Sequence, residues 1–201
     1  MNKKTQTINT YSDSAESLAE KFYGLGARVD DIQEIFDLVQ KKNPRVLEIG
    51  CCNGRDAKEI IKHTDDYLGI DISAKMIELA HQKVPTANFQ IADIENYIFP
   101  EKLDVVFAFA SLIHAPKKVL KNILSEALTA LNNNGIIRLS MKYADTYTEI
   151  TKKDEFGVRT YYLYSEEDIA SLAGGFEIIK NELRNSMGQV WVEVILKKDN
   201  L

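Results

Sequence analysis

Apolar positions recur along the chain with two alternating periods. Ile32, Ile35, Phe36 and Val39 follow helical spacing until Asn43-Pro44 ends the pattern. Arg45-Val-Leu-Glu-Ile-Gly50 then reads as a buried strand that runs into a turn of small residues. Ala57, Ile60 and Ile61 mark a helix face, Tyr67–Ile70 a second strand, and Ser73 caps a helix through about Lys83. Asn88–Ile91 is a third strand and the nearly continuous apolar run Leu103–Ala110 a fourth. Val119, Leu120, Ile123, Leu124, Ala127, Leu128 and Leu131 line a long helix, Asn132–Gly135 reads as a turn, and Ile136–Met141 is a fifth strand. Ser165-Glu-Glu-Asp168 opens another helix like a capping box. Phe176–Lys180 and Val190–Leu196, with no helix between them, should pair antiparallel through a turn near Ser186–Gly188. Ahead of all this, Asp13 or Ser14 caps a helix through about Tyr23, and the polar first ten residues are expected to be loose.

Strand–helix alternation that closes on a hairpin predicts an α/β fold, a mostly parallel sheet with helices on both faces. Ligands in such sheets lie beyond the carboxyl ends of the strands. That directs attention to the residues just after Ile49, Ile70, Ile91, Phe107 and Leu139.

Composition changes this picture little. The 201 residues carry a net charge of −5, which argues against a broad electrostatic grip on nucleic acid. Cys51 and Cys52 are adjacent, which suits neither a disulfide nor a metal-ligand spacing and points to a reducing, cytoplasmic setting. The opening MNKKTQTINTYSDSAE has no apolar core and is not expected to be a signal peptide, and the longest apolar stretch is too short to span a bilayer.

Three strand ends carry candidate chemistry. In Val46-Leu-Glu-Ile-Gly-Cys-Cys-Asn-Gly54, Gly50 and Gly54 permit a tight turn and the close approach of a ligand to backbone. The competing reading is a strand-to-helix turn with no ligand. Asp71 ends the second strand, 21 positions beyond Gly50, where an acidic side chain accepts hydrogen bonds from ribose hydroxyls. Its alternative is a helix-capping carboxylate beside Ser73. Asp93, after the third strand, suits the amine edge of adenine, or is simply a solvated loop residue. A dinucleotide Gly-x-Gly-x-x-Gly would need glycines at 50, 52 and 55, and Cys52 and Arg55 stand there instead.

The ordered set LEIGCCNG, YLGIDIS, IADIENY and LDVVFAFASLIHAP resembles the signature of class I S-adenosylmethionine-dependent methyltransferases over about residues 45–141. The tail FGVRTYYLYSEEDIASLA resembles a small bacterial branch of them with mostly unassigned substrates. The resemblance implies one Rossmann-like domain with a seven-stranded sheet of order 3-2-1-4-5-7-6 and an antiparallel last strand. Its parts would be N-terminal helices or a lid over 1–43, a cofactor-binding core over 44–141, and an acceptor-side segment with the closing hairpin over 142–201. It implies S-adenosylmethionine as cofactor. Glu48 and the Gly50–Gly54 turn would hold the methionine moiety, Asp71 the ribose, and Ile72 the adenine face. Asp93 and Ile94 would meet the adenine edge, and Phe109 and Ala110 the sulfonium region. Cys52 departs from the family's glycine.

Further candidates stand outside the signature. Arg28, at the start of the helix leading into the first strand, would pair with the cofactor carboxylate, or be a surface arginine. Tyr11 would lie in a segment folding over the cofactor. His114 is a candidate general base or substrate contact, or a histidine bonded to a loop backbone. Tyr143 and Arg159 are candidate acceptor contacts, Tyr161 and Tyr162 read as part of an outer strand, and Trp191 as packing in the last one. The expected reaction is in-line methyl transfer to a small-molecule acceptor, by a monomer or homodimer with no membrane or nucleic-acid partner. A cofactor-binding regulatory protein without turnover and an RNA or protein methyltransferase are the rival readings.

Overall fold

The computed structural model describes residues 2–199. Three helices come first: α1 (Lys3–Asp13), α2 (Ala15–Gly24) and α3 (Val29–Val39). Strands and helices then alternate as β1 (Val46–Ile49), α4 (Ala57–Ile60), β2 (Tyr67–Asp71), α5 (Ala74–Lys83), β3 (Asn88–Ile91), β4 (Leu103–Phe109), α6 (Lys117–Ala130) and β5 (Leu131–Lys142). A hairpin of β6 (Thr148–Asp154) and β7 (Gly157–Leu163) precedes α7 (Glu166–Leu172), β8 (Phe176–Ser186) and β9 (Gln189–Lys198). Short 3₁₀ turns, Ile94–Asn96 and Leu112–His114, follow β3 and β4.

The main sheet has seven strands in the order β3-β2-β1-β4-β5-β9-β8, with β9 antiparallel to both of its neighbours. This is the expected order, β8 and β9 taking the places of the sixth and seventh strands. The hairpin β6–β7 forms a separate two-stranded sheet.

β4 shows why a central parallel strand reads as one apolar run. Val105, Phe107 and Phe109 pack with Ile32 and Ile35 of α3 on one face, and Val106 and Ala108 pack with Leu120, Ile123 and Leu124 of α6 on the other. Both faces are covered, so every position is buried. Removing a side chain such as Phe107 from water contributes about 1.5–3 kcal/mol, and truncating it to Ala costs about 3–5 kcal/mol because a cavity remains. The Glu48 side chain alternates onto the same face as Val46, among polar groups described below.

Two expectations are corrected. The first ten residues are not loose. Asn2 caps α1 by accepting from the Thr5 amide at 2.8 Å. The face that α1 buries consists of Thr7 and Thr10, which bond the backbone of β7. A helix buried through threonines leaves no apolar stripe to read. Asn132–Gly135 is not a turn between elements but a bulge within β5. Leu131 pairs with Leu103 and Ile136 with Val105, so the asparagines are extra residues on one strand. Asn134 takes φ 62 there, and Asn132 Nδ2 bonds Asp104 Oδ1 at 2.7 Å. The final hairpin closes as expected, with Met187 and Gly188 both at positive φ in the turn that suits the twist of two strands. No helix among the described residues is long and apolar enough to cross a membrane.

Candidate active site

Beyond the carboxyl ends of β1, β2, β4 and β5, where strand order reverses between β1 and β4, lies a cavity of about 610 Å³. It falls within the usual range of small-molecule sites, about 300–1,000 Å³. Glu48, Gly50, Cys52, Asp71, Ile72, Asp93, Ile94, Phe109, Ala110, Arg28, Tyr11, His114 and Arg159 all line it. Gly54 and Tyr143 do not. At Gly54, φ is 76 and an added Cβ would press on Val84, Phe89 and Ala80, so this glycine serves the turn and its packing on α5 and β3. Tyr143 is half-buried against the core and donates to Asp145 Oδ1 at 2.6 Å; its backbone, just past β5, bridges to Tyr164.

The turn after β1 is held by its neighbours. A Cβ at Gly50 would lie 2.3 Å from Ser111 Cβ, so the loop after β4 requires glycine there. Cys52 adopts φ 53, a left-handed conformation that costs a residue with Cβ about 1–2 kcal/mol. Its sulfur lies 3.5 Å from Met76 Sδ, in a small cluster with Ala15, Leu18 and Ala19. The side chain that stands where the resemblance calls for glycine is thus absorbed between α2 and α5. Asp71 accepts from the Cys52 amide at 3.0 Å and from the Ser73 amide at 2.9 Å. The capping role and the cavity-facing role fall on the same carboxylate, whose burial raises its pKa against those two bonds.

Asn53 was not singled out by the sequence, yet it is fully buried and lines the cavity. Its Nδ2 donates to Ala19 O at 2.8 Å, while Oδ1 has no partner; Ser111 Oγ, across the turn, also has none. Below them, Glu48 is 3% exposed. Burial, then repulsion from Asp56, pushes its carboxyl up to about 8, against the hydrogen bond from Tyr67 and the charge of Arg28. Arg28 donates to Asp56 Oδ2 at 2.5 Å and stacks 4.9 Å above the Phe109 ring. It is anchored at the cavity wall rather than free at the surface. At the far rim, Asp93 accepts from the Glu95 amide at 3.1 Å and from Lys4 of α1 at 2.6 Å.

The opposite end of the cavity is aromatic and cationic. His114 Nδ1 lies 2.5 Å from the Thr160 carbonyl, which only accepts, so Nδ1 carries the proton. In the neutral ring Nε2 then accepts from the Tyr11 hydroxyl at 3.0 Å. Burial outweighs the Thr160 bond and lowers the His114 pKa to about 4. Tyr161, Tyr162 and Trp191, read from the sequence as strand packing, line the cavity as well. Lys142, which the sequence did not single out, ends β5 among them. The signal available for it was its place at the carboxyl end of the fifth strand. α1 lies across β7: the Thr160 amide donates to Thr7 Oγ1 at 3.1 Å, and Thr10 donates to Val158 O at 2.8 Å.

Residues 46–135 match a family described as a methyltransferase domain. The chain is 27% identical over 150 residues to malonyl-[acyl-carrier protein] O-methyltransferase 1 of Ilyobacter polytropus, covering 72% of this chain and 51% of that protein. It is 32% identical over 99 residues to trans-aconitate 2-methyltransferase of Rhodopseudomonas palustris, covering 48% and 38%. The chain spans about half the length of the first of these curated relatives. Magnesium protoporphyrin IX methyltransferase of Synechocystis, solved with bound S-adenosylhomocysteine, superposes with a TM-score of 0.72 at 19% identity, over 98% of this chain and all of that one. That likeness shows the fold.

Proposed function

We propose that this chain is a class I S-adenosylmethionine-dependent methyltransferase that transfers a methyl group from that cofactor to a small-molecule acceptor. The observation that carries the proposal is the juxtaposition in one cavity of the Gly50–Asn53 turn, braced by Asp71, with the aromatic end around His114. The donor set fits the cofactor. Acceptor carboxylates stand at the ends of β2 and β3, a cation and a buried acid stand beside the turn, and Asn53 Oδ1 and Ser111 Oγ hold unspent hydrogen-bonding capacity.

Asp71 would take the ribose hydroxyls, with Ile72 against the adenine and Asp93 and Ile94 at its edge. Glu48 and Arg28 would face the ammonium and carboxylate of the methionine moiety. Phe109 and Ala110 would border the sulfur. S-adenosylmethionine supplies a methyl group on a good, neutral leaving group. The protein's task is then alignment and exclusion of water. Tyr11, carried on α1, and the hairpin β6–β7 cover the acceptor end. His114 Nε2, proton-free at neutral pH, would accept a proton from an acceptor that must lose one, on displacing the Tyr11 hydroxyl. A cavity of about 610 Å³ is of the size that holds small molecules, which favours a small acceptor over RNA or a folded protein, and trans-aconitate, the named acceptor of one sequence relative, is such a molecule.

Calorimetry with S-adenosylmethionine and S-adenosylhomocysteine tests the cofactor assignment, and absence of binding by both at millimolar concentration would sink it. Release of S-adenosylhomocysteine over a panel of small acceptors tests turnover. Binding without release on any of them would favour a regulatory binder.

A further inference from the structure

The charges that line the cavity are segregated. Its carboxylates, Glu48, Asp56, Asp71, Asp93 and Glu95, all belong to the ends of β1, β2 and β3 or the turns after them. Its cations are paired with acids almost throughout: Lys3 with Glu149, Lys4 with Asp93, Arg28 and Arg55 with Asp56, and Arg159 with Asp154. Among the described residues Lys142 is the cavity-lining cation with no carboxylate partner. Its ammonium lies 4.4 Å from the centre of the Tyr161 ring and 5.8 Å from that of Trp191, and its one side-chain bond is a long 3.5 Å contact with Gln189 Oε1. Tyr161 in turn lies 4.9 Å from the His114 ring. One tyrosine therefore separates the ammonium from the histidine.

A half-buried ammonium is kept only where something compensates its lost hydration. Two aromatic faces supply part of that compensation. The rest is lacking: burial, with Lys152 and Arg159 nearby, lowers the Lys142 pKa. Arg159 adds a second unspent donor, since the residue is 8% exposed and its Nε has no partner. With the Arg159 charge matched by Asp154, the acceptor end carries about one uncompensated positive charge.

We propose that Lys142, with the idle Nε of Arg159, forms an anion subsite that selects a small carboxylic acid with a planar apolar body as the acceptor. The inference rests on the methyltransferase reading and names its substrate class. One unmatched cation suits a singly charged carboxylate better than a phosphate dianion, which draws several donors. The rings of Tyr161 and Trp191 suit an aromatic or conjugated skeleton. The carboxylate would anchor at Lys142 and so direct the rest of the acceptor toward His114 and the cofactor end.

The test is calorimetry on the full chain saturated with S-adenosylhomocysteine, using benzoate and trans-cinnamate as probes, each against its amide. At least one acid should bind, and at least tenfold tighter than its amide, the loss expected for one charge-assisted hydrogen bond. Lys142→Met should abolish that preference and Lys142→Arg should keep it, while affinity for S-adenosylhomocysteine stays within about twofold of the parent, which also reports that both variants fold. Equal binding of acids and amides, no binding of any acid, or an acid preference that survives Lys142→Met would overturn the subsite. Failure of S-adenosylhomocysteine itself to bind the parent protein would instead overturn the methyltransferase reading on which the subsite rests.

Discussion

The Tyr11 hydroxyl lies 3.0 Å from His114 Nε2, so a residue of the first helix is hydrogen-bonded to the one histidine that lines the cavity. The other ring nitrogen is held by the Thr160 carbonyl. Both contacts fix the neutral tautomer, and together they tie α1, the loop after β4 and β7 into one unit.

His114 should make the protein less stable in acid. Its pKa is lowered to about 4 in the fold, against an ordinary value of about 6.5 in the unfolded chain. Between those values the unfolded chain binds a proton that the folded one excludes, so stability falls as pH drops from about 6.5 to 4, by up to about 3 kcal/mol. Urea denaturation of the parent and of His114→Asn measures this. The variant should gain on the parent steadily as pH falls, and parallel curves would refute the assignment.

The same histidine should matter to turnover more than to cofactor binding. If it takes the acceptor's proton, His114→Ala lowers kcat by about 10²–10⁴-fold. Affinity for S-adenosylhomocysteine should be unchanged. An unchanged kcat would mean that the acceptor arrives already deprotonated.

Glu48 should release a proton when ligand binds. With its pKa raised to about 8, the carboxyl is mostly protonated at pH 7 in the free protein. An ammonium group arriving beside it stabilises the carboxylate and drives the proton off. Calorimetry of S-adenosylhomocysteine binding in buffers of different ionisation enthalpy should show net release near pH 7, lost in Glu48→Gln. The linkage also favours the folded state at lower pH: ionisation of buried Glu48 costs stability as pH rises from about 4.5 to 8, so Glu48→Gln should gain on the parent over that range.

Asp71→Ala should weaken cofactor binding at least about tenfold, the loss of one or two charge-assisted hydrogen bonds. Since Asp71 also accepts from the amides of Cys52 and Ser73, the variant should lose stability as well. A folded variant with parental affinity would argue against the ribose role.

Arg138 is a place where a single change should strongly destabilise the protein. It is 0% exposed in the middle of β5, with Asp31 of α3 at 2.9 Å and Glu193 of β9 at 2.7 Å. Arg184 of β8 joins Asp31 at 3.0 Å. Burial raises the Asp31 pKa, but the two arginines outweigh it and hold the carboxyl below its ordinary range. Arg138→Met would leave Asp31 and Glu193 facing a buried apolar chain, at a cost of about 3–5 kcal/mol in chemical denaturation.

The amino-acid sequence by itself determined the sheet and the strand-end residues that line the cavity. Both are written in local patterns: periodicity marks β1–β5 and the helices between them, and a strand must be followed by Gly50, Asp71 or Asp93 within a few residues to place them at its carboxyl end. What the tertiary structure decided depends on residues far apart in the chain. The helix α1 is polar in sequence because its buried face is built from Thr7 and Thr10, whose partners lie in β7 about 150 positions away. The conformation of Cys52, disruptive when set against a glycine pattern, is accommodated because α2 and α5 leave room for its sulfur. Arg138 is one charged residue within an apolar strand, and only the fold brings Asp31 and Glu193 to it. Lys142 stands apart because the fold gives every other cation of the cavity an acid partner. Hydrophobic periodicity is a property of neighbours along the chain, whereas the matching of a buried charge is a property of neighbours in space.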